Sequence, residues 1–504
     1  MRSRRALLNT LYGLLYEAVA LVCGMILPRL ILGAFGSTYN GITNSITQFL
    51  SAISLLRAGI GGVTKAALYK PLAENDTLQI SRVVRATEIF LRKVALIFLG
   101  FLVAFACIYP AFVNKDFDWA FSASLVLILG ISTLAQYQFG LTYQLLLNAA
   151  QRNGVVSLIQ VFTTILNTIV AAILIKAGCG IHIVKLGSAF VFALNPLAIN
   201  LYARKKFRII RNVEPDEKAI SQRWDAFAHQ VAYFVNTNTD IMVLTIFSTL
   251  KDVSIYSVYY LVINGITKLI KNSIQSVSSA FGDMLAKKEN KLLQTNFDAF
   301  ETMVFSIATV FFGTTLIMIV PFISVYTKGI HDANYIQPMF ASLISVAALF
   351  NCIRIPYQYV VEAAGHFKQT KRGAYFEAIM NIVISIICVF RYGLVGVAVG
   401  TVFATVFRTI QFSAYLCKNI IHRSYWKVIK NILCTGIIIV LAYLINQLFP
   451  ASEIDNYFDW ILISFRTVTT ILIFVVINDV ILFNQSTKTI MKRLKGIFLR
   501  KSKA

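Results

Sequence analysis

Apolar runs about as long as a bilayer is thick recur from one end of the chain to the other, separated by short polar or basic connections. A helix needs about 20 apolar residues to cross the hydrocarbon core. The runs predict fourteen spans, at 8–33, 40–66, 89–113, 119–147, 155–176, 183–203, 226–248, 254–281, 301–326, 337–364, 373–391, 394–418, 431–449 and 458–483. The expected fold is an all-α polytopic membrane protein.

Within these runs, polar residues fall in lines. Span eight carries Asn264, Lys268, Lys271, Gln275 and Ser279 at spacings of four, three, four and four, which place them on one helix face. An ammonium at the bilayer centre costs roughly 2.5–3.5 kcal/mol on insertion scales, so this face is expected to look into a wet pathway. Snorkelling to the surface is the alternative, open to Lys271 but less so to Lys268, about fourteen residues from either end. Span seven repeats the pattern with His229, Tyr233, Asn236 and Asp240, and span ten with Asn351, Arg354, Gln358 and Glu362. Asp240 and Lys268 share a depth near mid-membrane, where they form either a static pair or a gate. Arg354 either neutralises Glu362 or binds phosphate, whose oxygens a guanidinium matches. Span one aligns Gly13, Glu17, Ala20, Gly24 and Pro28, with Pro28 expected to bend or break the helix. Arg57 stands before the glycines of span two; Arg408 and Arg466 take structural roles. The deep cations outnumber the deep carboxylates, which suits an anionic substrate.

Composition agrees: 57% of the 504 residues are hydrophobic and 14% charged, with a mean hydropathy of +0.69. The net charge of +24 is a matter of placement. With the N-terminus inside, 34 of the 47 Lys and Arg residues fall in inner segments, six (Lys185 among them) in outer ones and seven within spans. That asymmetry sets both termini in the cytoplasm and removes nucleic acid as a partner. The tail after residue 485 reads either as a basic amphipathic helix lying on anionic lipid or as a solubilising extension. The seven cysteines stand singly and the five histidines are scattered, so no disulfide framework and no metal site is expected.

The chain also repeats itself. Tyr143-Gln144 and Asn148-Ala149-Ala150 match Tyr357-Gln358 and Glu362-Ala363-Ala364 at an offset of 214, where Asn167 falls on Asn381 and Gly140 on Arg354. Leu72-Ala73-Glu74 and Glu88 match Leu285-Ala286-Lys287 and Glu301 at 213. Six spans is an even number, so the halves insert in parallel, a transporter architecture. The expected organisation is an N-terminal six-helix bundle (1–203), a cytoplasmic linker (204–225), a C-terminal bundle (226–419), an extra helix pair (420–484) and a basic tail (485–504).

Pro28-Arg29-Leu30-Ile31-Leu32-Gly33, Tyr39-Asn40-Gly41, Ser54-Leu55-Leu56-Arg57-Ala58-Gly59-Ile60-Gly61, Asn238-Thr239-Asp240 and Tyr256 resemble the polysaccharide biosynthesis branch of the multidrug/oligosaccharidyl-lipid/polysaccharide (MOP) exporter superfamily. The resemblance implies alternating access that flips a polyprenyl-pyrophosphate-linked oligosaccharide across the cytoplasmic membrane. Partners would be membrane lipids, a polysaccharide polymerase and glycosyltransferases. Arg57, Lys268, Lys271 and Arg354, with Asn264 and Gln275, would meet the substrate. Glu17, Asp240, Asn236 and Glu362 are coupling or gate candidates, for H+ or Na+, and no other cofactor is implied. A lipid II-type flippase and a drug/cation antiporter of the same superfamily are the alternatives. A membrane enzyme is disfavoured: the outer loops are short, and Asp116/Asp118 and Glu453/Asp455 are their only close acidic pairs.

Overall fold

The structure, a computed structural model, describes residues 2–113, 116–210, 212–220, 238–274, 278–448, 454–489 and 491, with side chains omitted for 2–7, 56–59, 278 and 279. Among them there is no strand. The chain divides into two compact units, Met1–Ile255 and Tyr256–Ala504.

The first unit begins with α1 (Arg2–Phe35), which contains Pro28 without being broken by it. The predicted span 40–66 is two helices, α2 (Ser37–Leu50) and α3 (Ser54–Glu74), joined by a 3-10 turn over Ser51–Ile53. Then come α4 (Thr77–Ile108), α5 (Trp119–Ala149), α6 (Asn153–Lys176), α7 (Ile181–Phe207) and the shorter α8 (Asn238–Phe247). Asp76 caps α4, accepting from the Gln79 amide at 2.9 Å. A single π turn, Gln136–Gly140, interrupts α5; there Gly140 lies so close to Pro196 of α7 that a Cβ would overlap it. Around Phe98, Phe105, Tyr109 and Tyr137 the core is aromatic. The buried Tyr109 hydroxyl donates to Ser45 at 2.9 Å, and Thr245 of α8 donates to the same oxygen at 2.8 Å. Such pairing is what burial demands of hydroxyls. Gly41 meets the Leu250 carbonyl directly, a contact only a residue without a side chain allows.

The second unit holds most of α9 (Leu250–Ile274), then α10 (Ser278–Ala286), α11 (Asn290–Tyr326), α12 (Pro338–Ala363), α13 (Phe367–Asn419), α14 (Trp426–Leu448) and α15 (Tyr457–Leu482). At 53 residues α13 is too long for one span; about 30 Å of hydrocarbon takes about 20 residues. Gly393, at φ 52° and ψ −126°, turns it. Beyond the turn Gly396 presses on the Cys388 carbonyl and Gly400 on Ser385, so the helix is a tight hairpin. These are the predicted spans 373–391 and 394–418. The last two helices pack on α11: a Cβ at Gly313 would stand only 3.2 Å from Ile439 and Ile471, and Thr309 pairs with Thr435 at 3.1 Å. Arg466 is held by Asn446 at 3.0 Å, between these two helices.

Eleven helices among the described residues are long and apolar enough to cross a bilayer, one of them the α13 hairpin. Their outward faces carry exposed Leu201, Phe390, Phe465 and Ile481. Helices close their own backbone hydrogen bonds, so a surface of this kind suits lipid rather than water. This is a multi-pass membrane protein.

Candidate functional site

On α9 the residues of the polar line stand apart in burial: Lys268 is exposed, while Asn264 and Lys271 are half-buried. Thr267, one turn below Lys271, donates to the Ile263 carbonyl at 2.8 Å and also meets the Cys352 thiol of α12. Lys271 lies within electrostatic reach of Arg354 and Cys352 on α12. Neither Lys268 nor Lys271 makes an ion pair or side-chain hydrogen bond to any described residue. Gln275 lies outside the described residues, as do His229, Tyr233 and Asn236 of span seven. Arg57 falls within α3, but its side chain is outside them too.

Arg354 has a different fate. It sits where α12 changes course before Pro356, and its guanidinium reaches Glu377 of α13 at 2.8 Å and Asn351 at 3.0 Å. The other oxygen of Glu377 faces Arg408 Nε at 3.3 Å. Arg408 also donates to the Thr370 carbonyl at 3.0 Å and to Gln411, and its guanidinium lies 4.1 Å from the Phe412 ring centre. Arg354 therefore does not turn to Glu362, as one reading of the spacing had it; Glu362 accepts from Gln358 at 2.7 Å. A carboxylate clamped between two buried arginines fixes α12 against both arms of α13. Breaking such an arrangement costs about 3–5 kcal/mol.

The remaining candidates are dispersed. Glu17, half-buried on α1, sits beside Tyr16. Asp240 is buried at the start of α8 and belongs to the first unit, Lys268 to the second.

Glu377 is the acidic residue of the apolar span 373–391, a position where charge marks either pairing or function. Lys185 is a second such residue. Counted as an outer-loop cation from the sequence, it lies inside α7 and only 8% of it is exposed. Arg423 is a third, in the connection between α13 and α14, where burial works against its charge but the Glu301 carboxylate prevails and raises its pKa.

No protein-family model matches the sequence, and no curated protein matches it. Solved structures do. A lipid II flippase, MurJ, in an inward closed conformation superposes with a TM-score of 0.72 at 16% identity, covering 94% of this chain and 99% of that one. An inward-facing multidrug resistance MATE transporter of the MOP superfamily gives 0.60 at 14% identity, over 80% of this chain and 96% of that one. The chain shares its fold with these two proteins. A MOP transporter from Pyrococcus furiosus, described as having a binding pocket of reverse polarity, gives 0.53 at 13% identity, over 81% and 93% of the two chains. These three solved structures are a flippase and two transporters.

Proposed function

We propose that this chain is a flippase that moves a polyprenyl-pyrophosphate-linked oligosaccharide across the cytoplasmic membrane by alternating access, for cell-surface polysaccharide synthesis. One observation carries the reading: Lys268 and Lys271 stand on a membrane-spanning helix with no carboxylate paired to them among the described residues, while Arg354 and Arg408 share Glu377. A charge that serves packing alone is neutralised by its neighbours, as those arginines are. A charge left over is suited to a mobile anion, and a pyrophosphate is the densest anion on a lipid-linked glycan. Asn264 offers hydrogen bonds beside it. Arg57 and Gln275 complete the substrate contacts in this reading, and Arg354 contributes through the field of its partly neutralised guanidinium. Glu17, Asp240, Asn236 and Glu362 are the residues to test for coupling to H+ or Na+. Both termini are placed in the cytoplasm by the Lys and Arg distribution, with a polymerase and glycosyltransferases as partners.

A second reading, a lipid II-type substrate, is favoured by the TM-score of 0.72 to the lipid II flippase. It uses the same pyrophosphate chemistry with a different head group. Leaflet-resolved labelling of lipid-linked glycans in depleted cells separates the two by which lipid accumulates on the inner leaflet. In the same cells Lys268→Glu and Lys271→Glu are expected to lower flipping about tenfold or more, the worth of one charge-assisted contact, and Lys271→Arg to preserve it. Normal flux in charge-reversed variants that insert at wild-type levels defeats the assignment.

A further inference from the structure

A cavity of about 380 Å³ lies wholly inside the first unit, walled by α1, α2, α5, α6 and α7. Several of its wall groups have no partner among the described residues, and Asn167 Oδ1 is buried without one. Lys185, 8% exposed, makes no ion pair or hydrogen bond to any described residue. The same holds for the side chains of Ser132, Thr133, Gln136 and Ser188 around the space, and for Asn167, which is 3% exposed. The π turn Gln136–Gly140 contributes Gln136 to this wall, and irregular turns of that kind gather at functional sites. The hydroxyls of Thr43 and Thr47, by contrast, are used on backbone carbonyls at 2.8 and 2.7 Å. Most of the unpartnered groups therefore lie on α5, α6 and α7, with Ser54 of α3 opposite them.

An ammonium out of bulk water with nothing beside it is costly, and a carboxylate would be the ordinary remedy. The carboxylates of Glu377 and Glu301 provide that remedy in the other unit. None of the described residues lining this cavity is acidic. We propose that the cavity is a binding site for a singly charged anion, held by Lys185 and by donors from Asn167, Gln136 and the hydroxyls of Ser132, Thr133 and Ser188. The chemistry of the walls sets the charge. One ammonium neutralises one negative charge, and neutral hydroxyl and amide donors complete the shell of a halide or carboxylate. A phosphate dianion would call for a second cation or a guanidinium fork. The volume sets an upper limit on size: at roughly 30 Å³ per water it takes a hydrated halide or a six-membered sugar acid. Free chloride and the carboxylate of a sugar present this same charge, and the experiment distinguishes them.

Purified full-length protein is titrated with sodium chloride and, separately, with sodium glucuronate, against sodium sulfate at matched ionic strength, while thermal unfolding is followed. Wild type is expected to show a saturable rise in Tm, because a ligand that binds only the folded state stabilises it by mass action. In Lys185→Met the concentration at half-saturation is expected to rise at least about tenfold, equivalent to the loss of about 1.4 kcal/mol. In sulfate alone Lys185→Met is expected to melt no lower than wild type, since it removes an uncompensated charge; a purely structural lysine would lower it in every salt. Saturation by chloride alone assigns a free halide, and saturation by glucuronate at lower concentration assigns a sugar carboxylate. No saturable rise in wild type, or an equal rise in Lys185→Met, overturns the proposal. Should the variant not be recovered folded, bromide soaked into wild-type crystals decides: an anomalous peak beside Lys185 Nζ supports the site, and bromide found only elsewhere overturns it. Because no transport is measured, the outcome is independent of the flippase reading.

Discussion

The repeated Glu–Tyr pair occurs once in each unit, and the two copies have been put to different use. In the second unit the Tyr357 hydroxyl donates to Glu301 at 2.5 Å, and Arg423 closes on the same carboxylate at 2.7 Å. Arg423 also reaches Asp298 at 2.6 Å, Lys427 reaches it at 2.9 Å, and the Arg423 guanidinium lies 4.8 Å from the Phe297 ring centre. Two cations meet two carboxylates, and the Arg423 side chain is 1% exposed. In the first unit Tyr143 donates to Glu88 at 3.1 Å and receives from Arg204 at 2.9 Å. Arg85, Arg92 and Arg204 all approach Glu88, at 3.1, 3.7 and 3.6 Å. Three guanidiniums share one carboxylate beside an open cavity of about 430 Å³, and the Arg204 side chain is 33% exposed.

One inherited pair thus yields a sealed, neutral joint and an open, cationic one. The arginine makes the difference. The Glu and Tyr partners keep the repeat offset, but Arg204 comes from the end of α7 and Arg423 from the connection after α13. Where the cation arrives with its own counterions and is enclosed, it fixes the connection in place. Where it arrives among other cations that are each a third or more exposed, solvent screens the guanidiniums and the pairs contribute less to stability, although Glu88 itself is buried.

The largest effect that should separate the copies is removal of the carboxylate. Glu301→Gln leaves the buried Arg423 with Asp298 as its remaining carboxylate and is expected to cost about 3 kcal/mol, the low end for breaking a buried pair, whereas Glu88→Gln, whose three guanidinium partners are a third or more exposed, should cost about 1 kcal/mol. Denaturation of the two purified variants side by side checks this, and equal losses would show that exposure does not govern the difference. Next comes Gly140, the repeat counterpart of Arg354. Any Cβ there meets Pro196, so Gly140→Ala is expected to destabilise by about 1–3 kcal/mol through overpacking, read as a lower Tm. Should Gly140→Ala melt like wild type, α5 and α7 have slack that the contact does not suggest. Smallest is the phenol. Tyr357→Phe removes one bond to a buried carboxylate that Arg423 still holds, an expected loss of about 1.5 kcal/mol. Tyr143→Phe should lose less, because water can replace its hydroxyl at Glu88; the reverse order in paired melting curves would invert the comparison.

Much of this was legible in residue order. The 20-residue apolar periods determined a helical membrane protein, since only closed backbone hydrogen bonding survives in lipid. The near-equal offsets of Glu88/Glu301 and Tyr143/Tyr357, 213 and 214, were visible in the sequence, and the same Glu–Tyr hydrogen bond is made in each unit. The polar line on α9 was visible as spacing, since a helix turns spacing into a face. Tertiary structure alone decided what each charge meets. Arg354 finds Glu377, not Glu362; Lys185 is enclosed by hydroxyls rather than left in an outer loop; Arg423 draws two acids from α11. Sequence spacing constrains neighbours along one helix. The partner of a buried charge is supplied by another helix, at a distance in the chain that no local pattern encodes.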